Sequence, residues 1–213
     1  MLHEILKRPI IPVIVIEDAQ QAEPLAEALL RGGMDIIEIT CRTHAAAEAL
    51  TRIKKSFPEM LLGAGTVVTA DQAKMCLDCG VDFALAPGLN PETVHFFQKN
   101  KTLFVPGIMT PSEIEQGLAL GCSLLKFFPA GAAGGPKLLS SITAAYKALP
   151  ISFCPTGGVG IHNLSDWLSL SMVSNVGGSW LATPEQILQG EWQEITLQVE
   201  EALAIAAEHA ALE

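Results

Sequence analysis

The sequence predicts a single α/β domain over residues 1–213, a (β/α)8 TIM barrel with an extra N-terminal helix and an extra C-terminal helix. Three observations carry this expectation. Eight short apolar runs recur along the chain, segments of helical periodicity separate them, and the unusual residues gather at the C-terminal ends of the runs. That is the face on which such barrels build their sites.

The strand-like runs lie at 11–16, 34–40, 60–65, 82–86, 103–106, 123–128, 151–155 and 172–177. The first follows Lys7-Arg8 and superficially resembles a secretion signal. Pro9 and Pro12 interrupt it, Glu17-Asp18 follow it, and no small-residue cleavage pattern appears, so it reads as a core strand. Ala22, Leu25, Ala26, Leu29 and Leu30 then recur at helix spacing, as do Ala46, Leu50, Ile53 and Phe57. Pro24 predicts a kink or a late start in the first of these helices.

Helix starts are marked chemically. Thr110-Pro111-Ser112-Glu113 and Thr183-Pro184-Glu185-Gln186 each combine an N-cap threonine, a proline at the first helical position and a capping-box acid or amide. Asn90-Pro91 and Thr69-Ala70-Asp71-Gln72 are variants of the same device, and glycines at Gly32-Gly33, Gly80 and Gly121 suit left-handed helix ends. The two extra helices are expected at 2–8 and at 191–211, the latter with Ile195, Val199, Ala202 and Ala206 on one face. Buried strands joined by helices run parallel, and eight such units close most naturally into a barrel. A doubly wound open sheet would want a G-x-G-x-x-G turn after an early strand, and the sequence has none.

Composition narrows the function. A net charge of -10 argues against a general grip on nucleic acid, which needs clustered Lys and Arg. An anionic ligand must be held locally, so each of the four arginines (Arg8, Arg31, Arg42, Arg52) is informative. Cysteines 41, 76, 79, 122 and 154 are odd in number and form no dense framework, which predicts a reducing, cytoplasmic setting. Cys76 and Cys79 have CxxC spacing, but no second pair completes a metal set, and three residues is also the repeat of one helical face. His3, His44, His95, His162 and His209 are scattered. His44 and His162 follow strand ends and read as solvated helix-start residues. Neither a metal nor a cofactor is expected, and no apolar run approaches membrane-spanning length.

Within 123–128 a single ammonium, Lys126, interrupts an apolar run. An ammonium buried there is disfavoured relative to the neutral amine, a carbon nucleophile; an edge lysine that snorkels to water is the other reading. Strand alternation points Lys126 and Phe128 inward and turns Leu125 and Phe127 to the helices. By the same period Glu38 and Thr40 face inward, with Ile37 and Ile39 outward, although a structural pair between Glu38 and Arg42 would also account for the acid. The ends Thr156-Gly157-Gly158 and Gly177-Gly178-Ser179 offer amides that could cradle a phosphate; either Gly-Gly alone is equally a tight turn.

The segments Glu38-Ile39-Thr40-Cys41-Arg42-Thr43, Gly63-Ala64-Gly65-Thr66-Val67, Ala86-Pro87-Gly88, Pro106-Gly107-Ile108, Lys126-Phe127-Phe128-Pro129-Ala130, Phe153-Cys154-Pro155-Thr156-Gly157-Gly158 and Gly177-Gly178-Ser179-Trp180 run in order across nearly the whole chain. In this the sequence resembles the class I 2-keto-3-deoxy-6-phosphogluconate (KDPG) aldolases, which are often bifunctional with 4-hydroxy-2-oxoglutarate (KHG). The resemblance implies a Schiff base on Lys126, proton transfer by Glu38, and a pyruvate moiety held by Arg42, Thr66, Pro87 and Phe128. It further implies that Thr156 contacts the substrate and that Gly157, Gly158, Gly178 and Ser179 hold its phosphate. A phosphorylated 2-keto acid as substrate and a homotrimer as assembly belong to the same expectation. A guanidinium suits a carboxylate better than a point charge does, which supports Arg42 independently.

Ala86 and Gly131 stand where a serine and an acid would also be accepted, and Gly160-Ile161-His162 varies the turn after CPTGG. These departures leave substrate preference open, the galactonate-derived epimer included. Two competing readings share the phosphate cradle: a phosphosugar isomerase or epimerase working without an imine, and a catalytically silent phosphate-binding protein.

Overall fold

The computed structural model describes residues 1–210; the last residue of the helix expected at 191–211 lies outside the described residues. The strands are β1 (Ile10–Ile14), β2 (Ile36–Thr40), β3 (Leu61–Gly65), β4 (Phe83–Leu85), β5 (Leu103–Val105), β6 (Gly107–Ile108), β7 (Leu124–Phe127), β8 (Ser152–Pro155) and β9 (Val176–Gly178). All ladders are parallel, in the orders β5-β4-β3-β2-β1-β9 and β6-β7-β8. Parallel strands need crossover connections, and helices supply them, making a curled α/β sheet with buried faces. The strands are buried along their whole length except at Leu61, Leu103 and Ser152, which are half-buried.

Most strand boundaries fall within two residues of the expected runs, and two differences bear on the sheet. The run at 103–106 does not end at Pro106. Proline lacks the N–H that would continue the ladder, but its carbonyl accepts from Lys126 N at 2.9 Å, and pairing resumes at Gly107 and Ile108. The run at 172–177 starts late, at Val176, with only an isolated bridge from Val173 to Phe153 before it. Met172 and Ser174 flank that bridge with hydrogen bonds to Phe153, and Asn175 then turns its fully buried amide to the Ile5 carbonyl at 3.4 Å, where the helix Leu2–Leu6 approaches.

Local chemistry sets the helices as it should. Thr69, Thr110 and Thr183 each accept from the backbone N–H three residues on, and Gln72, Glu113 and Gln186 reciprocate. Asn90 caps Pro91–Lys99 through Glu92 N. A short 3-10 turn, Ala19–Gln21, precedes Ala22–Arg31, so Pro24 falls in the first turn, where its missing N–H has no intrahelical partner to lose. The long helix Trp192–Ala210 buries Ile195, Val199, Ala202 and Ala206, and packs against Ala22–Arg31 and Leu164–Leu168. After Pro129, where no cap signature stands, the chain forms Ala130–Ala133 and then Gly135–Thr143. No helix among the described residues is long and apolar enough to cross a membrane.

Candidate active site

Strand alternation decides where the two chemically distinctive side chains go. On β7, Leu125 packs toward the helix Pro111–Ala119 and Phe127 meets Trp167 of Leu164–Leu168 with ring centroids 6.4 Å apart. Lys126 therefore points to the opposite side of the strand, where it is 4% exposed. Glu38 on β2, 1% exposed, faces the same interior, and Lys126 Nζ lies 3.2 Å from its Oε1. Glu38 thus pairs with Lys126 rather than with Arg42.

The second carboxylate oxygen, Oε2, is buried with no hydrogen-bond partner among the described residues. Phe128 lies beside the pair, its ring centroid 5.8 Å from Lys126 Nζ. Thr40, also inward, turns its hydroxyl to the Ile14 carbonyl at 2.9 Å and so ties β2 to β1.

Arg42 and Thr66 extend from adjacent strand ends, since β2 and β3 pair as far as Thr40 and Gly65. The guanidinium of Arg42 is exposed and donates from Nε to Thr66 Oγ1 at 3.1 Å. Thr66 holds φ +60, the left-handed region that a threonine seldom occupies. Such local strain is typical of sites that position a group. Pro87 lines an apolar cleft of about 240 Å³ with Val67, Val68, Gly88, Leu89 and Phe104, and its carbonyl region crowds Gly107.

The glycine-rich ends are knitted to the lysine strand. Ala130 N donates to Thr156 O at 2.8 Å and Gly131 N to Gly157 O at 2.7 Å. Gly157 and Gly158 take φ +86 and +79, two successive left-handed residues that only glycine adopts without strain, and the space beside Gly157 abuts the Phe128 ring. Thr156 is buried and bridges Gly177 of β9, where its hydroxyl fills the space a side chain would need. Gly178 is buried beneath the Trp180 ring, and Ser179 is exposed at the rim.

Among the predicted residues, Lys126, Glu38 and Phe128 share one small volume. Arg42 with Thr66 and Thr156 with the two Gly-Gly turns flank it on different strand ends. One inward residue escaped the sequence reading. Cys154 is the register partner of Lys126, and its Sγ lies 3.9 Å from Thr156 Oγ1. Burial pushes its thiol up to about 12, so it stands in the site as a neutral group. The period-two pattern that placed Lys126 would have placed it too. His44 sits instead beside Glu17, Asp18 and Glu48, away from the lysine strand, and no group of metal-ligating side chains occurs among the described residues.

A sequence model described as "Aldolase: KDPG and KHG aldolase" matches residues 2–198. The chain belongs to the KDPG and KHG aldolase family. It is 38% identical to a 2-dehydro-3-deoxy-phosphogluconate aldolase of Haemophilus influenzae, over 96% of both chains. It is also 38% identical to a KHG/KDPG aldolase of Escherichia coli strain K12, over 92% of this chain and 91% of that protein. A KDPG aldolase of Legionella pneumophila, solved with pyruvate captured as a covalent carbinolamine intermediate, superposes with a TM-score of 0.88 at 40% identity, covering 92% of this chain and 94% of that one. With the family established, the aldolase reading displaces the isomerase and the silent binding protein.

Proposed function

We propose that this aldolase cleaves KDPG to pyruvate and glyceraldehyde 3-phosphate through a Schiff base on Lys126, and that it also cleaves KHG to pyruvate and glyoxylate. The observation that carries the residue assignment is the buried contact of Lys126 Nζ with Glu38 Oε1 at 3.2 Å, with Oε2 left open. Glu38 takes a proton from the ammonium, and the neutral amine attacks the C2 ketone. Glu38 returns that proton to the carbinolamine hydroxyl, which leaves as water, so that the carboxylate is restored and an iminium forms, the electron sink for cleavage. Glu38 then removes the C4 hydroxyl proton, directly or through a water at Oε2. The C3–C4 bond breaks, the aldehyde departs, and the same acid returns a proton to the enamine before hydrolysis frees pyruvate. One carboxyl group serves as base and acid in alternate steps.

Arg42, steadied by Thr66, holds the keto-acid carboxylate, with Pro87 and Phe128 as apolar walls. Thr156 contacts the substrate's hydroxyl end, and Gly157, Gly158, Gly178 and Ser179 hold the phosphate. We further infer that the sheet closes as a (β/α)8 barrel in one domain over 1–213. The continuity of β5 with β6 through Pro106 and the bridge from Thr156 to Gly177 support that closure. A homotrimer is the proposed assembly. A cytoplasmic setting is in keeping with Cys41 and Cys76, which stand close together as free thiols. Borohydride added with pyruvate should fix an adduct on Lys126. Undiminished trapping in Lys126→Ala would overturn the assignment.

A further inference from the structure

The sulfurs of Cys41 and Cys76 lie 3.9 Å apart although the residues are 35 positions apart in the chain. Cys41 follows β2 and immediately precedes Arg42; Cys76 lies inside the helix Ala70–Asp78. Their approach is held by backbone. Gln72, one turn before Cys76 on the same helix face, donates from Nε2 to the Cys41 carbonyl at 3.0 Å, and Cys41 N donates to Gly65 O at 2.7 Å. Cys79 turns elsewhere, its sulfur toward the Ala47 carbonyl at 3.4 Å and the Met75 sulfur at 3.7 Å. The proposed reaction uses neither Cys41 nor Cys76.

We propose that Cys41 and Cys76 are a modification site: a dithiol that peroxide closes to a disulfide, displacing Arg42 and weakening the grip on the substrate carboxylate. The second half rests on the reading of Arg42 as the carboxylate holder. Cys41 is the reacting sulfur. It is 9% exposed while Cys76 is fully buried, and the contact with Cys76 holds its thiol below the ordinary value against the opposing effects of burial and Glu38. The Cys41 thiolate attacks one peroxide oxygen, the O–O bond breaks, and hydroxide leaves as water after protonation. The Cys76 sulfur then attacks the Cys41 sulfenic acid, the S–O bond breaks, and the Cys76 proton leaves with the departing hydroxide as a second water. Two sulfurs lose two electrons and peroxide gains them. Exchange with a dithiol reverses the step.

A disulfide of about 2.0 Å requires the two sulfurs to close by roughly 2 Å. Cys41 is tied through its N–H to Gly65 O and through its carbonyl to Gln72 Nε2, so closing the gap shifts this backbone along with the sulfurs. Arg42 is the next residue, held by Thr66 through a 3.1 Å hydrogen bond that such a shift breaks. Displacing a positioning group by about 1 Å is enough to cost binding or rate.

The test treats the intact enzyme with hydrogen peroxide and maps the products by mass spectrometry beside steady-state kinetics. The expected result is a loss of about two mass units and a disulfide-linked peptide pair carrying Cys41 and Cys76. The KM for the keto-acid substrate should rise about tenfold and recover with dithiothreitol. Cys76→Ala and Cys76→Val should keep basal activity and lose the response, whereas Cys79→Ala should keep it. Absence of the Cys41–Cys76 link overturns the proposal, as does a link that leaves KM unchanged. Link formation is read without turnover, so an enzyme inactive before oxidation would count against the proposed function instead. The wild-type peptide map decides the matter even where a Cys76 variant fails to fold.

Discussion

Gly65 leaves empty the space in which the Glu38 carboxylate stands: a methyl group built on Gly65 would overlap Oε1 of Glu38. The proposed catalytic acid is therefore positioned by an absence on the neighbouring strand as much as by its own rotamer. The requirement is steric, and it ties the glycine-bearing end of β3 to the chemistry on β2.

Gly65→Ala should push the carboxylate off the Lys126 amine while the remaining β2–β3 ladder holds. We expect kcat to fall by at least about tenfold, since small misplacements of a reacting group are costly. The circular dichroism spectrum should be retained. An unchanged kcat would show that Glu38 can act from another rotamer.

Arg42→Lys keeps the charge but loses the planar fork that donates to Thr66 Oγ1 and that is proposed to engage the substrate carboxylate. KM for the keto acid should rise by about tenfold, with kcat changed less, as expected when binding common to ground and transition states is lost. An unchanged kcat/KM would contradict the clamp.

Cys154 supplies a prediction in pH. Burial raises its thiol from the ordinary 9.0 to about 12, so between these values the unfolded chain has released a proton that the native state keeps. The stabilisation is complete below 9.0 and declines as pH rises through that window, because the native state then binds more protons than the unfolded one. Native Cys154 should resist iodoacetamide at pH 9 and react once the protein is unfolded. Labelling of the native thiol at that pH would contradict its burial.

Glu113 tests the capping box on Pro111–Ala119. Burial pushes its carboxyl up, but hydrogen bonds from Met109 N, Thr110 Oγ1 and Thr110 N outweigh this and hold it below the ordinary 4.5. That contribution is present above 4.5 and is lost as pH falls through the lower folded value. Glu113→Ala should cost about 1 kcal/mol in denaturant titration at neutral pH. Glu113→Gln should cost less, because Gln72 and Gln186 fill the same role in their own boxes. Equal stabilities for all three would mean that the cap contributes nothing.

What could be read from the sequence was mainly what neighbouring residues decide. The capping boxes at Thr69, Thr110 and Thr183 are each contained within four residues, and the inward aim of Glu38 and Lys126 follows from a period of two. What escaped depends on partners distant in the chain. Arg42 is near Glu38 in sequence and so competed as its partner, but the actual partner is 88 residues away. The contact of Asn175 with Ile5, across 170 residues just before β9 begins, is one that no periodicity in 172–177 reveals. The proximity of Cys41 and Cys76 likewise exists only once Gln72 has brought the helix to the loop.

The two hydrogen bonds that join Ala130 to Thr156 and Gly131 to Gly157 carry the β7–β8 ladder past the ends of both strands. The amine and the Gly157-Gly158 part of the proposed phosphate cradle are thereby mounted on one bracket, whose span is fixed by backbone geometry rather than by the closing of a loop. On the proposed function, such a bracket works as a gauge of substrate length. A keto acid too short to reach the cradle cannot draw it nearer, so it must react with whatever binding the carboxylate end alone provides.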